Sequence, residues 1–511
     1  MKLKSNVLKL CLFATGLSGI VAEYILSTLA TYFLGDSVFQ FTMIMSIMLF
    51  SMGLGSRLSK FIHTDLLKAF VGVEFLLSLI VSFVSILTYL TAAFTSYTGL
   101  TIYLLSIIVG LFIGMEIPLV IRLNDQFEEL KVNVSSIMEK DYYGSLLGGV
   151  FFAFIGLPYL GLTYTPFVLG TVNLLVALLL LAVLWKQAGA RMQRQLGTSA
   201  VLVVLLIAGG VNYAKEVVKY GEEKRYKDPV IFSEQTPYQR IVITESGKDF
   251  WLFINGNQQL SSIDEVMYHE PLVHPVMGLL KNPQKVLVLG GGDGCAVREI
   301  LKYPSVEEIV LVDLDPAMTK VASEHPLLST LNQRAFSHPK VRIVNADGFT
   351  YMEQDRNFYD AVIIDLPDPK SVELGRLYSF EFYRMCYNRL RPHGVITTQA
   401  GSPYYAAEAF QCIDLSMEKA GFTTAPLHNQ VVTLGEWGWV LGVKQGSKEQ
   451  LKRRLQNLKF GHLPVKYISQ EAMQLMTSFG KPLFLEGKVR VNRIHDPVLY
   501  RYYLDGDWDI Y

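Results

Sequence analysis

The stretch KVLVLGGGDG (Lys285–Gly294) decides the fold of the second half of the chain. A short, wholly apolar run enters a loop of glycines, and CAVREILKY (Cys295–Tyr303) behind it has helical spacing. So brief and continuous an apolar run reads as a strand covered on both faces. Working outward, EEIVLVDLD (Glu307–Asp315), KVRIVNAD (Lys340–Asp347) and YDAVIIDLPDP (Tyr359–Pro369) repeat the pattern, and HGVITTQA (His393–Ala400) follows a helix expected at Phe380–Leu390. GWVLGVK (Gly438–Lys444) predicts a late antiparallel edge strand. Upstream, YQRIVITE (Tyr238–Glu245) and DFWLFING (Asp249–Gly256) flank Ser246-Gly247-Lys248 as a hairpin, with a third short strand near Asn257–Ser262. Buried strands alternating with helices mean a parallel, doubly wound α/β sheet behind a small antiparallel sheet. Ligands of such a sheet bind at the carboxyl ends of its strands.

Polar residues should therefore collect where strands end, and they do. Asp293 lies in the loop after the first strand, Asp313 ends the second, Asp347 the third, and Asp365 and Asp368 the fourth. One aspartate at a strand end is a common turn residue; five in succession are not accounted for by turns. Gly290, Gly292 and Gly294 let a ligand approach the backbone, although their G-x-G-x-G spacing departs from the dinucleotide fingerprint. An acid about 20 residues beyond such a loop accepts hydrogen bonds from ribose hydroxyls, the place Asp313 holds. An adenosine-type ligand follows, with Asp347-Gly348 placed to accept from the adenine amino group.

The first half has a different composition. The 511 residues are 50% hydrophobic and 18% charged, with mean hydropathy +0.29. Residues 1–200 carry only 12 Lys+Arg and 10 Asp+Glu. The apolar content and the lack of low-complexity tracts exclude a disordered chain. A net charge of +0 excludes the basic excess of a nucleic-acid binder, so no nucleic-acid partner is expected. Cys11, Cys295, Cys386 and Cys412 form no CxxC pair and read as packed, reduced thiols.

Six apolar stretches, at about 7–34, 38–56, 69–94, 99–121, 142–159 and 164–185, approach the roughly 20 residues that cross a bilayer. They predict a polytopic helical domain with the lipid bilayer as partner. A seventh stretch, AVLVVLLIAGGV (Ala200–Val211), has an apolar core of about a dozen residues, so six or seven helices are expected: the stretch either spans or merely embeds, and its length is more typical of a re-entrant or interfacial segment. Basic residues occur at the N-terminus, at Arg57, Lys60 and Lys68, at Arg122, Lys131 and Lys140, and at Lys186, Arg191 and Arg194. The alternate loops near 35–37, 95–98 and 160–163 have none. The positive-inside bias puts the basic ends in the cytoplasm. Glu23 and Glu116 lie within apolar runs and read either as a cation or proton-relay site or as acids bonded to a neighbouring helix. Glu74, one turn inside its span, is expected at the interface.

In its ordered motifs, residues 229–445 resemble the spermidine synthase (polyamine aminopropyltransferase) family. These are TPYQRI with Gln239, DEVMYHE with Asp264, Tyr268 and His269, GGGDG with Asp293, VDLD with Asp313, NADGF with Asp347 and Gly348, and DLPDP with Asp365 and Asp368. The resemblance implies a small β-sheet on a methyltransferase-type Rossmann-like domain. It implies transfer of an aminopropyl group from decarboxylated S-adenosylmethionine, a co-substrate rather than a cofactor, to putrescine or a related amine. Spermidine and methylthioadenosine would be the products. It further implies Asp365 as base, Asp368, Tyr268 and His269 at the amine, and Gln239, Gly290, Gly292, Gly294, Asp293, Asp313, Asp347 and Gly348 at the donor. No metal is called for, and a homodimer is implied. The apolar first half resembles that of membrane-bound members.

The chemistry agrees with these assignments. An amine with a pKa near 10.4 arrives protonated, so a carboxylate must take its proton as it attacks. The rival within the fold is a methyltransferase using intact S-adenosylmethionine. Asp293 speaks against it, because an anion beside the donor's amino-acid end repels the carboxylate that the intact donor carries. A third reading is a polyamine transporter with a regulatory synthase-like domain. One departure stands out: the late loop VVTLGEWGW (Val431–Trp439) lacks the tyrosine that family members often set against the amine, leaving Trp437 or Glu436 as substitutes. The expected organisation is a membrane domain at 1–214, linker and small sheet at 215–283, catalytic domain at 284–445 and an extension of unassigned role at 446–511. Taking Ala200–Val211 as partly inserted, and the donor as a cytosolic nucleoside, the catalytic domain is expected in the cytoplasm on a multi-pass cell-membrane protein.

Overall fold

The computed structural model describes residues 2–35, 37–95, 97–185, 189–480 and 489–508. They form two compact units, Met1–Lys227 and Asp228–Tyr511.

The first unit is all helix: α1 (Lys2–Leu34), α2 (Ser37–Ser59), α3 (Leu66–Phe94), α4 (Thr98–Asn124), α5 (Leu130–Phe151), α6 (Gly161–Leu184) and α7 (Ala190–Glu223). A π-helical segment, Phe152–Leu160, carries α5 to Gly161, whose φ of 61° breaks the run before α6. Six helical runs are long and apolar enough to cross a membrane, α5 through α6 counting as one. Many large apolar side chains face outward, among them Phe50, Leu146 and Leu205, each more than 60% exposed. A protein in water rarely shows so much contiguous apolar surface. Glycines bring the helices close: a Cβ on Gly144 of α5 would stand 2.0 Å from the Phe13 carbonyl oxygen, and one on Gly114 of α4 2.0 Å from that of Met52. Backbone approach at small residues is how helices associate without a hydrophobic driving force.

Three expectations change here. The seventh stretch is not a short insertion. It lies inside the 34-residue α7, which runs along α3 from Phe83 near Gly210 to Tyr89 near Gly221. The polar residues flanking Ala200–Val211 continue the helix, so the apolar core alone understated its length. Lys131 and Lys140 lie on α5 rather than in a loop. Glu74, expected at an interface, is 1% exposed inside the bundle and interacts with Glu116 and Thr15.

The second unit opens with the antiparallel sheet β1 (Val230–Gln235), β2 (Arg240–Ser246), β3 (Asp249–Ile254) and β4 (Asn257–Ser261), paired in sequence order. The sequence patterns did not include β1. The main sheet contains β5 (Lys285–Gly290), β6 (Glu308–Asp313), β7 (Val341–Asn345), β8 (Tyr359–Asp365), β9 (Leu390–Gly401), β10 (Thr423–Val431) and β11 (Gly435–Val443). Its order is β10-β11-β9-β8-β5-β6-β7, parallel from β9 to β7. The late strand is therefore not the edge: β11 sits between β9 and β10, and β10 forms the edge. Val286, Leu287, Val288 and Leu289 are wholly buried. At about 1.5–3 kcal/mol per side chain, their burial holds helices on both faces of the sheet. All four cysteines are free and buried.

The chain after β11 packs back onto this unit. The Glu270 carboxylate accepts from the backbone N–H groups of Lys466, Tyr467 and Ile468 at 2.7–2.8 Å. Asn492 donates to the Gly375 carbonyl and accepts from Val498 and Leu499 N–H.

Candidate active site

Strand order reverses between β5 and β8, where the chain has gone out through β6 and β7 and returned. Doubly wound sheets form their ligand crevice at this point. Gly290 ends β5 opposite Asp365 at the end of β8. Its φ is 78°, and a Cβ there would lie 2.0 Å from the Asp365 carbonyl oxygen, so only glycine fits. At Gly292 a Cβ would come within 2.5 Å of the Asp313 carboxylate. The glycines keep the β5 turn flat against two of the strand-end acids, and Gly294 (φ 84°) leads into the helix Cys295–Ile300.

Asp365 Oδ1 accepts from the Tyr268 hydroxyl at 2.7 Å. His269 Nε2 lies 3.7 Å from Asp293 Oδ1 and 4.0 Å from Asp365 Oδ2. Tyr268 and His269 both come from the helix Val266–Gly278, and both side chains reach Asp365. Burial pushes the Asp365 carboxyl up to about 6, with the Asp293 charge adding to it, while His269 and the Tyr268 hydroxyl work the other way. Burial alone would lower His269, but its hydrogen bond to Glu265, with the Asp293 charge, outweighs this and raises it to about 9. Glu265 accepts His269 at 2.9 Å and holds Arg298 in a two-pronged pair at 2.8 and 2.9 Å. Burial opposes the Glu265 anion, yet His269 and Arg298 hold its carboxyl at about 2.

Toward the donor side, Asp293 accepts from Cys295 N–H at 2.8 Å, and Asp313 accepts from Asp315 N–H at 3.0 Å. Burial lifts the Asp313 carboxyl to about 6. The turn carrying Gln239 is tied to the end of β6 by Thr236, whose hydroxyl donates to Asp315 at 2.8 Å. Asp347 reaches the same rim with its carboxylate already engaged: it caps the helix Gly348–Gln354 through Thr350 and pairs with Arg376 at 2.5 Å. On the opposite side, Asp368 accepts from the Tyr503 hydroxyl at 2.6 Å and lies 3.4 Å from Gln399 Nε2 and 3.7 Å from Lys370 Nζ.

Of the sequence candidates, Asp365, Tyr268, His269 and Asp293 are brought together directly, with Asp313 against the glycine turn and Asp368 three residues along. Asp264 instead anchors the late loop, accepting from Thr433 N–H and hydroxyl. Of the two late-loop substitutes, Glu436 is occupied by His428, whereas Trp437 stands 6.5 Å from the Tyr268 ring. Glu265, Arg298, Gln399 and Tyr503 were not singled out. Arg298 and Glu265 are 33 residues apart and signal each other only in three dimensions. Nor does sequence spacing display the grouping of His269, Asp293 and Asp365, whose donor atoms lie within 4.8 Å of one another. Such a grouping of anions around an imidazole suits a cationic ligand.

Residues 265–453 match the family model described as the spermine/spermidine synthase domain. Polyamine aminopropyltransferase 2 of Aquifex aeolicus is 42% identical over 500 residues, covering 98% of each chain. The chain belongs to the polyamine aminopropyltransferase family. The polyamine aminopropyltransferase of Leptospira interrogans is 38% identical over 96% of each chain. Similarity to these relatives therefore extends through the helical first unit. A crystal structure of spermidine synthase from Thermotoga maritima is 30% identical where it matches, covering 49% of this chain and 84% of that one with a TM-score of 0.43. Family membership removes the methyltransferase alternative.

Proposed function

We propose that this polyamine aminopropyltransferase moves the aminopropyl group of decarboxylated S-adenosylmethionine to putrescine, releasing spermidine and methylthioadenosine. The observation that carries the mechanism is Asp365, half-buried at the end of β8, fixed by Tyr268 and facing His269 and Asp293. With the donor along Gly290–Gly294, its ribose at Asp313 and its ammonium near Asp293, the sulfonium's propyl carbon faces Asp365. The amine gives up a proton to Asp365, its nitrogen forms a bond to that carbon, and the carbon–sulfur bond breaks with its electrons moving to sulfur. The leaving group is a neutral thioether. Asp368 holds the far ammonium of the diamine, and Trp437 lines the approach. The anionic rim raises the local concentration of both cationic substrates.

The first unit is proposed to span the cell membrane with seven helices. Hydropathy, outward-facing apolar side chains and glycine-mediated packing support this reading. Consecutive helices then alternate in direction, and Glu223 leaves the bundle at the end opposite the basic loops. Charge bias and helix number together now point away from the cytoplasm. The cytoplasmic placement of the catalytic unit rests on substrate supply alone: a nucleoside sulfonium is made and used in the cytosol. A reporter active only outside the inner membrane, fused after Tyr511, should stay silent; strong activity would overturn that placement.

Incubating the purified full chain with the decarboxylated donor and putrescine should release methylthioadenosine and spermidine in equal amounts. A methylated product from intact S-adenosylmethionine, with none from the decarboxylated donor, would overturn the proposed reaction.

A further inference from the structure

The amine end of the rim is completed by a residue far outside the matched domain. Tyr503 sits on the short helix Leu499–Leu504, is 3% exposed, and donates its hydroxyl to Asp368 Oδ2 at 2.6 Å. Its place is well determined. Trp508 lies against its ring at 4.7 Å between centroids, and Trp508 Nε1 donates to the Tyr503 carbonyl at 2.7 Å. A Cβ at Gly401 would stand 3.4 Å from the same ring, so β9 backs it closely. Asn492, which accepts from the N–H groups of Val498 and Leu499, fixes the start of the helix.

The contacts of Asp368 show what the pocket wants. Gln399 lies 3.4 Å from one carboxylate oxygen, and the Tyr503 hydroxyl bonds the other. The Lys370 ammonium, held by Asn257 at 2.7 Å, stands 3.7 Å from Asp368 and 5.7 Å from the centre of the Tyr503 ring. A carboxylate beside an aromatic ring is a favourable seat for an alkylammonium, and here the ring is that of Tyr503, backed by Trp508. The late loop, meanwhile, supplies no tyrosine.

We propose that Tyr503 determines acceptor specificity: its hydroxyl orients Asp368 toward the distal ammonium of a short α,ω-diamine, and its ring closes the pocket against longer polyamines. This rests on the aminopropyl-transfer reading above. The C-terminal segment is thereby a part of the amine site, substituting from a distance of 135 residues for what the late loop lacks.

The test compares the purified full chain with Tyr503→Phe and Tyr503→Ala, using putrescine, cadaverine and spermidine as acceptors and methylthioadenosine release as readout. Putrescine binding in the presence of methylthioadenosine is measured separately by calorimetry. Tyr503→Phe keeps the ring and should weaken putrescine binding and raise its KM about tenfold, the usual effect of losing a hydrogen bond to a charged group, with kcat within about twofold. A residue that only supported the fold would not split KM from kcat in this way. Tyr503→Ala should shift kcat/KM toward spermidine relative to putrescine by about tenfold. Unchanged putrescine affinity in Tyr503→Phe overturns the proposal, even where Tyr503→Ala does not fold, as does an unchanged acceptor order in folded Tyr503→Ala. A wild-type chain that turns over no amine overturns the underlying reaction and this inference with it. A wild-type chain active while both variants behave identically to it overturns this inference alone.

Discussion

Both units bury acids, and they treat them differently. In the helical unit Glu116 is fully buried, and neither carboxylate oxygen has a hydrogen-bond partner among the described residues; Glu74 leaves one oxygen in the same condition. At the sheet rim Asp365 has Tyr268, Glu265 has Arg298 and His269, and Asp368 has Tyr503 and Gln399. Glu265 is as buried as Glu74 and Glu116, and Asp365 and Asp368 are half-buried. What distinguishes the rim is a donor or cation beside each of these anions, arranged around a crevice that the fold opens at its strand ends. Buried charge persists when it is paired, and a paired anion at a crevice can exchange part of its pairing for a cationic substrate. The unpartnered oxygens of Glu116 and Glu74 have no such surroundings among the described residues.

The sharpest way to break this contrast is a pair of isosteric changes. Asp365→Asn should lower kcat by about 100- to 10,000-fold, the range for loss of a general base, while calorimetry shows methylthioadenosine binding retained. Glu116→Gln, a change in the other unit, should leave turnover within about twofold. Near-normal turnover in Asp365→Asn removes the base from the mechanism, and a large loss in Glu116→Gln erases the distinction between the units.

Next in size is the pairing itself. Glu265→Gln leaves the buried Arg298 guanidinium without its strongest partner, at a cost of about 3–5 kcal/mol. Thermal unfolding of the purified chain should show a clearly lower midpoint for the catalytic transition. An unchanged midpoint would mean that Arg298 is served by Glu299 and the Leu331 carbonyl alone.

The pH dependence sharpens the account further. Because burial raises Asp365 to about 6, kcat/KM should climb about tenfold per unit up to pH 6 and then level as the carboxylate becomes ionised. A profile flat from pH 5 to 8 contradicts this environment. The smallest effect concerns His269, raised to about 9 in the folded chain against about 6.5 unfolded. Its folded form binds the proton more tightly, so the stabilisation is complete below about pH 6.5 and is lost as pH rises through 9. Denaturant titrations across that window should show the decline, and His269→Asn should flatten it.

What could be read from the sequence followed burial. β5, β6 and β8 are unbroken apolar runs, and the acids at their ends are fixed in space once the strands are. β10 escaped notice because an edge strand tolerates Pro426, His428, Asn429 and Gln430, which hide its pattern. β1 is as long as β5, but its residues are half-buried or exposed, so it has no unbroken apolar run. α7 was underestimated because its polar ends are amphipathic rather than apolar. At the site, Tyr268, His269 and Asp365 lie in recognisable local motifs. The partnership of Tyr503 with Asp368 has no local signature, since it is created by the path of the C-terminal segment over the finished sheet.

The central claim is that the acidic rim selects a donor lacking a carboxylate. Equilibrium binding of decarboxylated and intact S-adenosylmethionine to the purified chain tests it most directly. On the proposed placement of the donor's amino end at Asp293, the decarboxylated donor should bind at least about 100-fold more tightly, on the order of two pKa units' worth of charge interaction. Equal affinity for the two, or preference for the intact donor, would contradict the account.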